Sequence, residues 1–179
     1  MKSVEPVVRI LEAIGAPYAL IGGHAVGARG FPRMTIDVDF LTTDRRVLQR
    51  DIWKSLEDHG ASVDPRKGDF DDPLAGVVHI RLAAGDEVDV VVAKLKWEAE
   101  VISRAERLDV GGVHVPVPRT SDLILLKLSA GGALDLQDVI VLLAVANRER
   151  VVREVEENIS SLGAEAMDAW RRISTNLAG

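Results

Sequence analysis

Apolar residues near the start of the chain recur with two different periods. Between positions 4 and 14 they follow helical spacing, which predicts a helix there. Tyr18–Ile21 is a short apolar run that predicts a strand, and it leads into a Gly-Gly pair and a short helix over residues 24–28. Residues 35–41 are rich in β-branched side chains and alternate with period two, which predicts a second strand.

The remaining segments first mix helical and extended patterns and then become purely helical. A helix is predicted over residues 44–59, followed by a polar loop over 64–73. Two β-branched runs, 77–82 and 87–92, predict an antiparallel hairpin. Further predicted elements are a helix over about 95–105, extended pieces at 108–110 and 113–117, and helices over 122–130, 134–146, 149–159 and 164–173.

This order of elements predicts an α/β (α+β) fold in one compact unit. We expect residues 1–120 to form a core with a mixed sheet flanked by helices, and residues 121–179 to form a helical C-terminal part. A length of 179 residues suits one domain, and 47% apolar with 28% charged residues is typical of a folded globular protein.

Composition excludes several classes of function. The absence of cysteine excludes disulfides, thiolate zinc sites and cysteine nucleophiles. With 22 basic and 28 acidic residues, the net charge of −6 means that any polyanion must be held by a local basic patch or through a metal. At 4%, aromatic residues are too few for a base-stacking platform. No apolar run approaches a membrane span, so we expect a soluble cytoplasmic protein without a membrane partner.

Two aspartates on the second predicted strand are the strongest candidates for chemistry. Asp37 and Asp39 would share one face, while Ile36, Val38 and Phe40 would face the core. Like charges about 7 Å apart repel each other unless a cation or hydrogen-bond donors lie between them, and Mg²⁺ suits carboxylate oxygens. The alternative from the pattern alone is a solvated acidic face.

Residues before this strand suggest an anion site beside it. Gly22 and Gly23 form a turn between a strand and a helix, where exposed backbone N–H groups can approach a phosphate closely, although most Gly-Gly pairs are simply turns. Arg29, Arg33 and Thr35 lie between this turn and the aspartates, and Arg33 could contact a phosphate or pair with an aspartate.

A third carboxylate is needed for a two-metal centre, and Asp89 is the candidate. It lies inside an apolar strand, where a polar side chain is costly without a partner. Glu87 shares its face and is the fallback, and a solvent-exposed Asp89 is the alternative. Four histidines do not have the spacing that is typical of metal ligands, and we expect them to be structural: His24, His59, His79 and His114.

Two stretches, Ala19 to Val26 and Gly30 to Phe40, resemble the nucleotidyltransferase fold of the DNA polymerase beta superfamily, and more narrowly its small bacterial AbiEii-like branch. The order of apolar strand, Gly-Gly, short helix, Arg-x-Thr and Asp-x-Asp carries the resemblance. Lys127 and the later Asp135-x-x-Asp138 match a C-terminal element of that family, so the resemblance spans about residues 17 to 143. A basic residue usual before the first of these aspartates is replaced by Leu134.

The resemblance implies transfer of a nucleotidyl group from a nucleoside triphosphate with Mg²⁺. Asp37 and Asp39 would hold the metal, with Asp89 as third ligand or base. The catalytic set implied is Asp37, Asp39, Asp89, Lys127 and Asp135. The nucleotide-binding set implied is Gly22, Gly23, Arg33, Thr35, Lys127 and Asp138. Each late residue also has a simpler interpretation: Lys127 could extend its ammonium to the surface, Asp135 could cap a helix, and Asp138 could lie on a solvated face.

Three functions stay open from the sequence. The first is a nucleotidyltransferase acting on an RNA end or a protein, such as a toxin with a cognate antitoxin. The second is a non-catalytic nucleotide-binding module, and the third is a nucleotidyltransferase for small cationic drugs, for which the acidic loop 69–72 is a candidate pocket. RNA would need a basic strip made by Arg29, Arg33, Arg45, Arg46, Arg50, Arg66 and Lys67. The alternative is that these residues pair with Asp44, Asp51 and Glu57.

Overall fold

The computed structural model describes residues 1–32 and 34–176, and Arg33 therefore lies outside the described residues. Its α-helices are α1 (Glu5–Ala13), α2 (Gly22–Ala28), α3 (Lys54–Glu57), α4 (Lys96–Ser103), α5 (Thr120–Ala130), α6 (Ala133–Val145), α7 (Arg148–Asn158) and α8 (Ala164–Asn176). Its strands are β1 (Tyr18–Ile21), β2 (Val38–Thr42), β3 (Ser62–Lys67), β4 (Gly76–Arg81), β5 (Glu87–Val92), β6 (Glu106–Val110) and β7 (Val113–Val117).

Five strands form one mixed sheet in the order β1-β2-β5-β4-β3, and β6 and β7 form a separate hairpin. Within the large sheet, β2 and β5 run parallel, and the other neighbours are antiparallel. The parallel pair forms because a long connection carries the chain from β2 through β3 and β4 before β5 returns beside it. The predicted α/β class, with a mixed sheet flanked by helices, is confirmed.

The two faces of the sheet have different neighbours. On one face, Leu20, Phe40, Val90 and Val78 are register partners in adjacent strands, all fully buried in the main core. On the other face, a smaller apolar cluster around Leu41 is covered by Ile102 of α4 and Leu126 of α5. Because these helices cover only part of that face, polar residues at the start of β2 and along β5 stay partly accessible.

The C-terminal helices pack into the same core as the sheet. Val139, Val151 and Trp170, from α6, α7 and α8, belong to the main hydrophobic cluster that also contains Phe40. Helix α5 lies at the centre of this packing, and it is buried on nearly every side. The placement of a boundary at residues 120–121 stays a prediction.

Three predicted elements differ from the structure. The helix expected over 44–59 consists of two 3₁₀ turns, Arg45–Leu48 and Arg50–Trp53, and the single turn of α3. The indole N–H of the fully buried Trp53 donates to the Val47 carbonyl at 2.7 Å. This contact folds the segment back on itself, which a straight helix would not allow.

The second difference is at β3, which replaces much of the predicted polar loop over 64–73. Residues 62–67 pair with β4 at the edge of the sheet. Pro65 is tolerated there because proline has no backbone N–H group, and on an edge strand that position can face solvent.

The third difference is at β2, which begins only at Val38. The expectation that Ile36 faces the core is therefore wrong: 85% of its surface is exposed. Val38 and Phe40 are buried as predicted.

Among the residues that the structure describes, no helix has the length and apolar character needed to cross a membrane.

Candidate active site on the open face of the sheet

A row of four polar residues crosses the sheet on its partly open face. Asp39 on β2, Asp89 on β5, His79 on β4 and Asp64 on β3 are successive register partners, and we call them the polar row. Adjacent strands lie about 4.8 Å apart, so no other residue separates the backbones of Asp39 and Asp89. The structure therefore brings together two of the predicted carboxylates that are 50 residues apart in sequence.

A cavity of about 270 Å³ opens over the same face. Residues that line it include Asp37, Ser62, Asp64, His79, Arg81, Glu87 and Asp89. Asp37 lies just before β2 and is exposed, but it borders the cavity that Asp89 also lines. Asp37 and Asp89 therefore border one cavity, and Asp39 lies next to it as the register partner of Asp89.

The turn between β1 and α2 lies directly against Asp39. Ile21 is the register partner of Asp39, and Gly22 follows it as the first residue of α2. Gly22 has a φ of +67°, and a Cβ atom there would lie 1.9 Å from Oδ2 of Asp39. Both observations require glycine, because a side chain would strain the backbone and displace the carboxylate. The predicted nearness of the glycine pair to the acidic strand is correct, and its role in binding a nucleotide stays a prediction.

The segment before β2 has no regular structure. Thr35 donates a hydrogen bond to the backbone carbonyl of Asp37 at 3.4 Å. Met34 and Ile36 are exposed over 99% and 85% of their surface, so this segment borders the cavity without a hydrophobic anchor of its own. The ligand roles of Thr35 and Asp37 stay predictions, and the role predicted for Arg33 concerns a residue outside the described ones.

Asp89 has a partner on the neighbouring strand. Nδ1 of His79 lies 2.7 Å from Oδ1 of Asp89, whereas the fallback carboxylate, Glu87, forms an ion pair with Arg81. Asp89 is thus neither buried without a partner nor fully exposed: 35% of its side chain is accessible. Asp89 is the carboxylate that adjoins Asp39, and Glu87 lies two residues further toward the hairpin end.

Sequence reasoning missed the pairing of His79 with Asp89. If the runs 77–82 and 87–92 were paired end to end, Leu82 would face Glu87, and His79 would face Val90. The actual turn has three residues, Ala83 to Gly85, closed by a hydrogen bond from the Leu82 amide to the Asp86 carbonyl at 2.9 Å. Gly85 has a φ of +94°, as this turn requires. A shift of one residue in register decides which side chains are neighbours. Gly85 was therefore the feature of the sequence that could have indicated the three-residue turn and this register.

Lys127, Asp135 and Asp138 form a compact ion cluster between α5 and α6. Nζ of Lys127 lies 2.8 Å from Oδ1 of Asp135 and 2.8 Å from Oδ2 of Asp138. Lys127 and Asp138 are 8% and 3% exposed, so the alternatives of a surface lysine and a solvated aspartate are wrong. The N-cap of α6 is Gly132, so Asp135 is not the capping residue. Leu126, the residue before Lys127, packs on the sheet face that carries Asp39.

The arginines of the predicted basic strip are largely occupied by internal contacts. Arg29, which follows α2, donates to the carbonyls of Pro118 and Val117 at 2.7 and 2.9 Å and thereby ties α2 to β7. Further ion pairs join Arg46 to Asp44, Arg50 to Glu57, and Arg66 to Asp64. The predicted pairing with Asp44 and Glu57 is therefore correct for Arg46 and Arg50.

His24 and Tyr18 have pKa values displaced by their surroundings. Burial lowers the pKa of His24, and the positively charged N-terminus adds to this, so its imidazole is held neutral beside the glycine turn. Burial, and then the charge of Glu12, raises the pKa of Tyr18 to about 12. Both shifts follow from packing around β1 and α2, which agrees with a structural role for His24.

The fold is shared with known nucleotidyltransferases. The antibiotic-resistance factor ANT(2'')-Ia is 15% identical, with a TM-score of 0.59 over 89% of this chain and 90% of that protein. The lincosamide antibiotic adenylyltransferase LnuA, solved with lincomycin, is 13% identical, with a TM-score of 0.53 over 81% of this chain and 97% of that one. An antigenic nucleotidyltransferase-like protein from Paracoccidioides brasiliensis is 18% identical, with a TM-score of 0.52 over 95% and 91%.

No protein-family model matches the sequence. The comparison with curated proteins finds no match either. At 13–18% identity, the structural likeness shows the fold alone. The chain has a nucleotidyltransferase-like fold, and its suggested place in the AbiEii-like branch stays a prediction.

Proposed function

We propose that this protein transfers a nucleotidyl group from a nucleoside triphosphate to an acceptor hydroxyl. The observation that carries the proposal is the pairing of Asp39 with Asp89 on parallel strands, with Gly22 packed against the Asp39 carboxylate. Two adjacent carboxylates on an accessible sheet face repel each other, and such an arrangement is maintained where a cation or a proton transfer uses it.

The reaction would be an in-line displacement at the α-phosphorus. The acceptor oxygen forms a bond to the α-phosphorus, the bond between that phosphorus and the oxygen bridging to the β-phosphate breaks, and pyrophosphate leaves. The hydroxyl proton passes to the carboxylate of Asp89. Gly22 and Gly23 would present backbone N–H groups to the β- and γ-phosphates, with Thr35 and Arg33 beside them.

Mg²⁺ fits the donor chemistry of this site. Its preferred ligands are one or two carboxylates together with water and substrate phosphates, and Asp37, Asp39 and Asp89 would supply the carboxylates. When bound, the ion would stabilise charge on the phosphate oxygens. Within residues 1–32 and 34–176, no three acidic, histidine or cysteine side chains are already gathered as a metal-binding group. The nucleotide phosphates would therefore have to complete the coordination.

Lys127 would have to leave an existing ion pair before it could act on a bound nucleotide. Its ammonium already contacts Asp135 and Asp138, so its charge is compensated by two carboxylates. For Lys127 to stabilise charge on the leaving pyrophosphate, a triphosphate would have to draw it away from Asp135, the more exposed of its two partners. Asp135 and Asp138 would then fix the position of the Lys127 ammonium when no nucleotide is bound.

The test uses isosteric variants that remove one charge each. We expect Asp39→Asn and Asp89→Asn to lower transfer from an α-labelled nucleoside triphosphate by about 100-fold or more, because each removes a group that the chemistry needs. Asn keeps the size and an acceptor oxygen of the aspartate it replaces, so we expect both variants to remain folded, as urea unfolding would check. Asp109→Asn, on the separate β6–β7 hairpin, is the matched control.

Label transfer and pyrophosphate release with Mg²⁺ would be measured against RNA, protein and aminated small-molecule acceptors. Activity that survives in both aspartate variants would refute the proposed site. A wild-type protein that binds nucleotide with Mg²⁺ but transfers nothing would support the non-catalytic module instead.

A small cationic acceptor is the second candidate, and the cavity favours it. Asp37, Asp64, Glu87 and Asp89 line the cavity. Arg81, which also lines it, pairs with Glu87, and Arg66 pairs with Asp64. An excess of negative charge attracts amines and repels a phosphate backbone. Two of the structural neighbours act on or confer resistance to antibiotics, as their names state.

The acidic loop 69–72 does not support this candidate. Nζ of Lys94 binds the carbonyls of Phe70 and Asp72 at 2.6 and 2.8 Å. The strands that lead into this loop end at Lys67 and Gly76, three residues and about 10 Å beyond the polar row. An RNA or protein acceptor, a toxin role and a cognate antitoxin remain predictions that rest on the sequence resemblance alone.

A further inference from the structure

His79 contacts the proposed proton acceptor, Asp89, from the adjacent strand. The two residues are register partners, and Nδ1 of His79 lies 2.7 Å from Oδ1 of Asp89. Their side chains are 41% and 35% exposed, so both can be reached from the cavity that they line. The predicted structural role of His79 takes no account of this contact.

The chemistry of Asp89 determines which nitrogen of the ring carries a proton. An ionised carboxylate accepts hydrogen bonds and cannot donate one, so Nδ1 of His79 must be the protonated nitrogen. The ring thus occupies one oxygen of Asp89 and limits rotation of the carboxylate. Because Asp39 is the register partner of Asp89 on the other side, the carboxylate is bounded by a neighbour on each adjacent strand.

We propose that His79 is a positioning residue that orients the Asp89 carboxylate for catalysis. The inference rests on the proposed function, because it concerns the same transfer site. A carboxylate that is oriented before the substrate arrives needs no rearrangement when the acceptor hydroxyl binds, and this lowers the barrier of the chemical step. His79 would act on turnover without contacting the nucleotide.

The competing explanation is an ordinary ion pair on the surface of a sheet. Arg81 and Glu87, the next pair on the same face of these two strands, provide an example of such a contact. A second histidine–aspartate pair lies on the β6–β7 hairpin, where His114 and Asp109 are register partners with Nε2 and Oδ2 3.8 Å apart. That pair lies on a separate sheet, so His114→Ala is a matched control.

Three substitutions at His79 distinguish a residue that positions Asp89 from one that only forms an ordinary surface ion pair. We expect His79→Ala to lower kcat by about 10–100-fold while the KM for the nucleotide changes less than about twofold. Asn places an amide N–H close to the position of ring Nδ1, so His79→Asn should recover most of the lost turnover. Gln carries its amide further out, near the position of Nε2, and His79→Gln should stay as slow as His79→Ala.

These kinetic results have clear contrary outcomes. The proposal would be overturned if the kcat of His79→Ala were within about twofold of the wild-type kcat. It would also be overturned if the kcat of His79→Ala were within about twofold of the kcat of the His114→Ala control. A His79→Asn variant as slow as His79→Ala would also overturn it, because the N–H donor would then not be the cause.

A second readout does not depend on turnover. Long-range ¹H–¹⁵N spectra at about pH 8, where an ordinary imidazole is neutral, distinguish the two ring tautomers. We expect the Nδ1–H form of His79 in the wild type and a return to the commoner Nε2–H form in Asp89→Ala. An Nε2–H ring in the wild type would refute the inference even if transfer is observed. A wild type with the Nδ1–H ring but no transfer would instead contradict the proposed function.

Discussion

The close approach of Gly22 to Asp39 leads to a test of the site through backbone geometry. Replacing Gly22 with alanine adds one Cβ atom, which would lie 1.9 Å from Oδ2 and 2.9 Å from Cγ of Asp39. The residue also has a φ of +67°, a conformation that side chains disfavour. Gly15 offers a matched control, because its φ is +65° but a Cβ there would meet nothing within 4 Å.

The two variants should differ by the cost of displacing the carboxylate. The positive φ alone costs about 1–2 kcal/mol, and we expect this loss of unfolding free energy in Gly15→Ala. Gly22→Ala should lose about 1 kcal/mol more, because Asp39 must leave its preferred rotamer. For a domain of this size, each kcal/mol corresponds to about 2–4 °C in Tm.

Activity should separate the variants far more than stability does. A shift of about 1 Å in a catalytic group can lower turnover about 100-fold, so Gly22→Ala should lose nearly all nucleotidyl transfer while Gly15→Ala keeps it. Urea unfolding and transfer of an α-labelled nucleotide would be measured on both variants and on Gly22→Ala combined with Asp39→Ala.

The double variant checks the cause directly. With the Asp39 carboxylate removed, the nearest remaining contact is its Cβ at 3.2 Å, so adding Gly22→Ala should then cost little more than Gly15→Ala does. If Gly22→Ala keeps full transfer, or costs the same extra stability with and without the carboxylate, the reasoning about this contact is refuted.

Two further predictions concern buried ionisable side chains. Tyr18 is the single tyrosine, so absorbance near 295 nm should show its ionisation at about 12 in the folded protein and near 10 in denaturant. Because burial raises the pKa of Tyr18 in the folded state, the contribution of Tyr18 to the free energy of unfolding is complete below about pH 10. This contribution is lost between about pH 10 and about pH 12. Glu12→Gln should lower the folded-state value, and a native midpoint near 10 would contradict the assigned burial. Lys127→Met should lower the unfolding free energy by about 3–5 kcal/mol in urea, because it removes the cation between Asp135 and Asp138. Lys127→Met with Asp138→Asn should recover part of that loss, whereas a loss below about 1 kcal/mol would show that the cluster is solvated.

The local pattern of apolar and polar residues was sufficient to predict most helices and strands and to identify the candidate acidic residues. The strand Tyr18–Ile21, the glycine pair after it and the aspartates Asp37 and Asp39 lie within about 20 residues of each other. Their order along the chain carries enough information to predict the strand–turn–helix arrangement, because backbone conformation at these positions depends on nearby side chains. The last four helices were predicted for the same reason.

Local pattern failed where distant contacts outweigh propensity. The segment after Asp44 has helical periodicity, yet the burial of Trp53 and its bond to Val47 break it into short turns. Ile36 continues the alternation of β2, but the chain has not yet entered the sheet there. Neither outcome can be derived from spacing, because the burial of Trp53 in the main core and the point where β2 enters the sheet both depend on packing against elements elsewhere in the chain.

The arrangement of the candidate site depended on tertiary structure. The sequence alone determined which carboxylates, glycines and lysine were available, and it predicted that the Gly22 turn lies near the acidic strand. Only the parallel pairing of β2 with β5 decided that Asp89 lies beside Asp39, and only the three-residue turn before β5 decided that His79 meets Asp89. Strand pairing and register are set by packing of whole faces against the core, since a slip of one residue would expose every buried side chain of the strand.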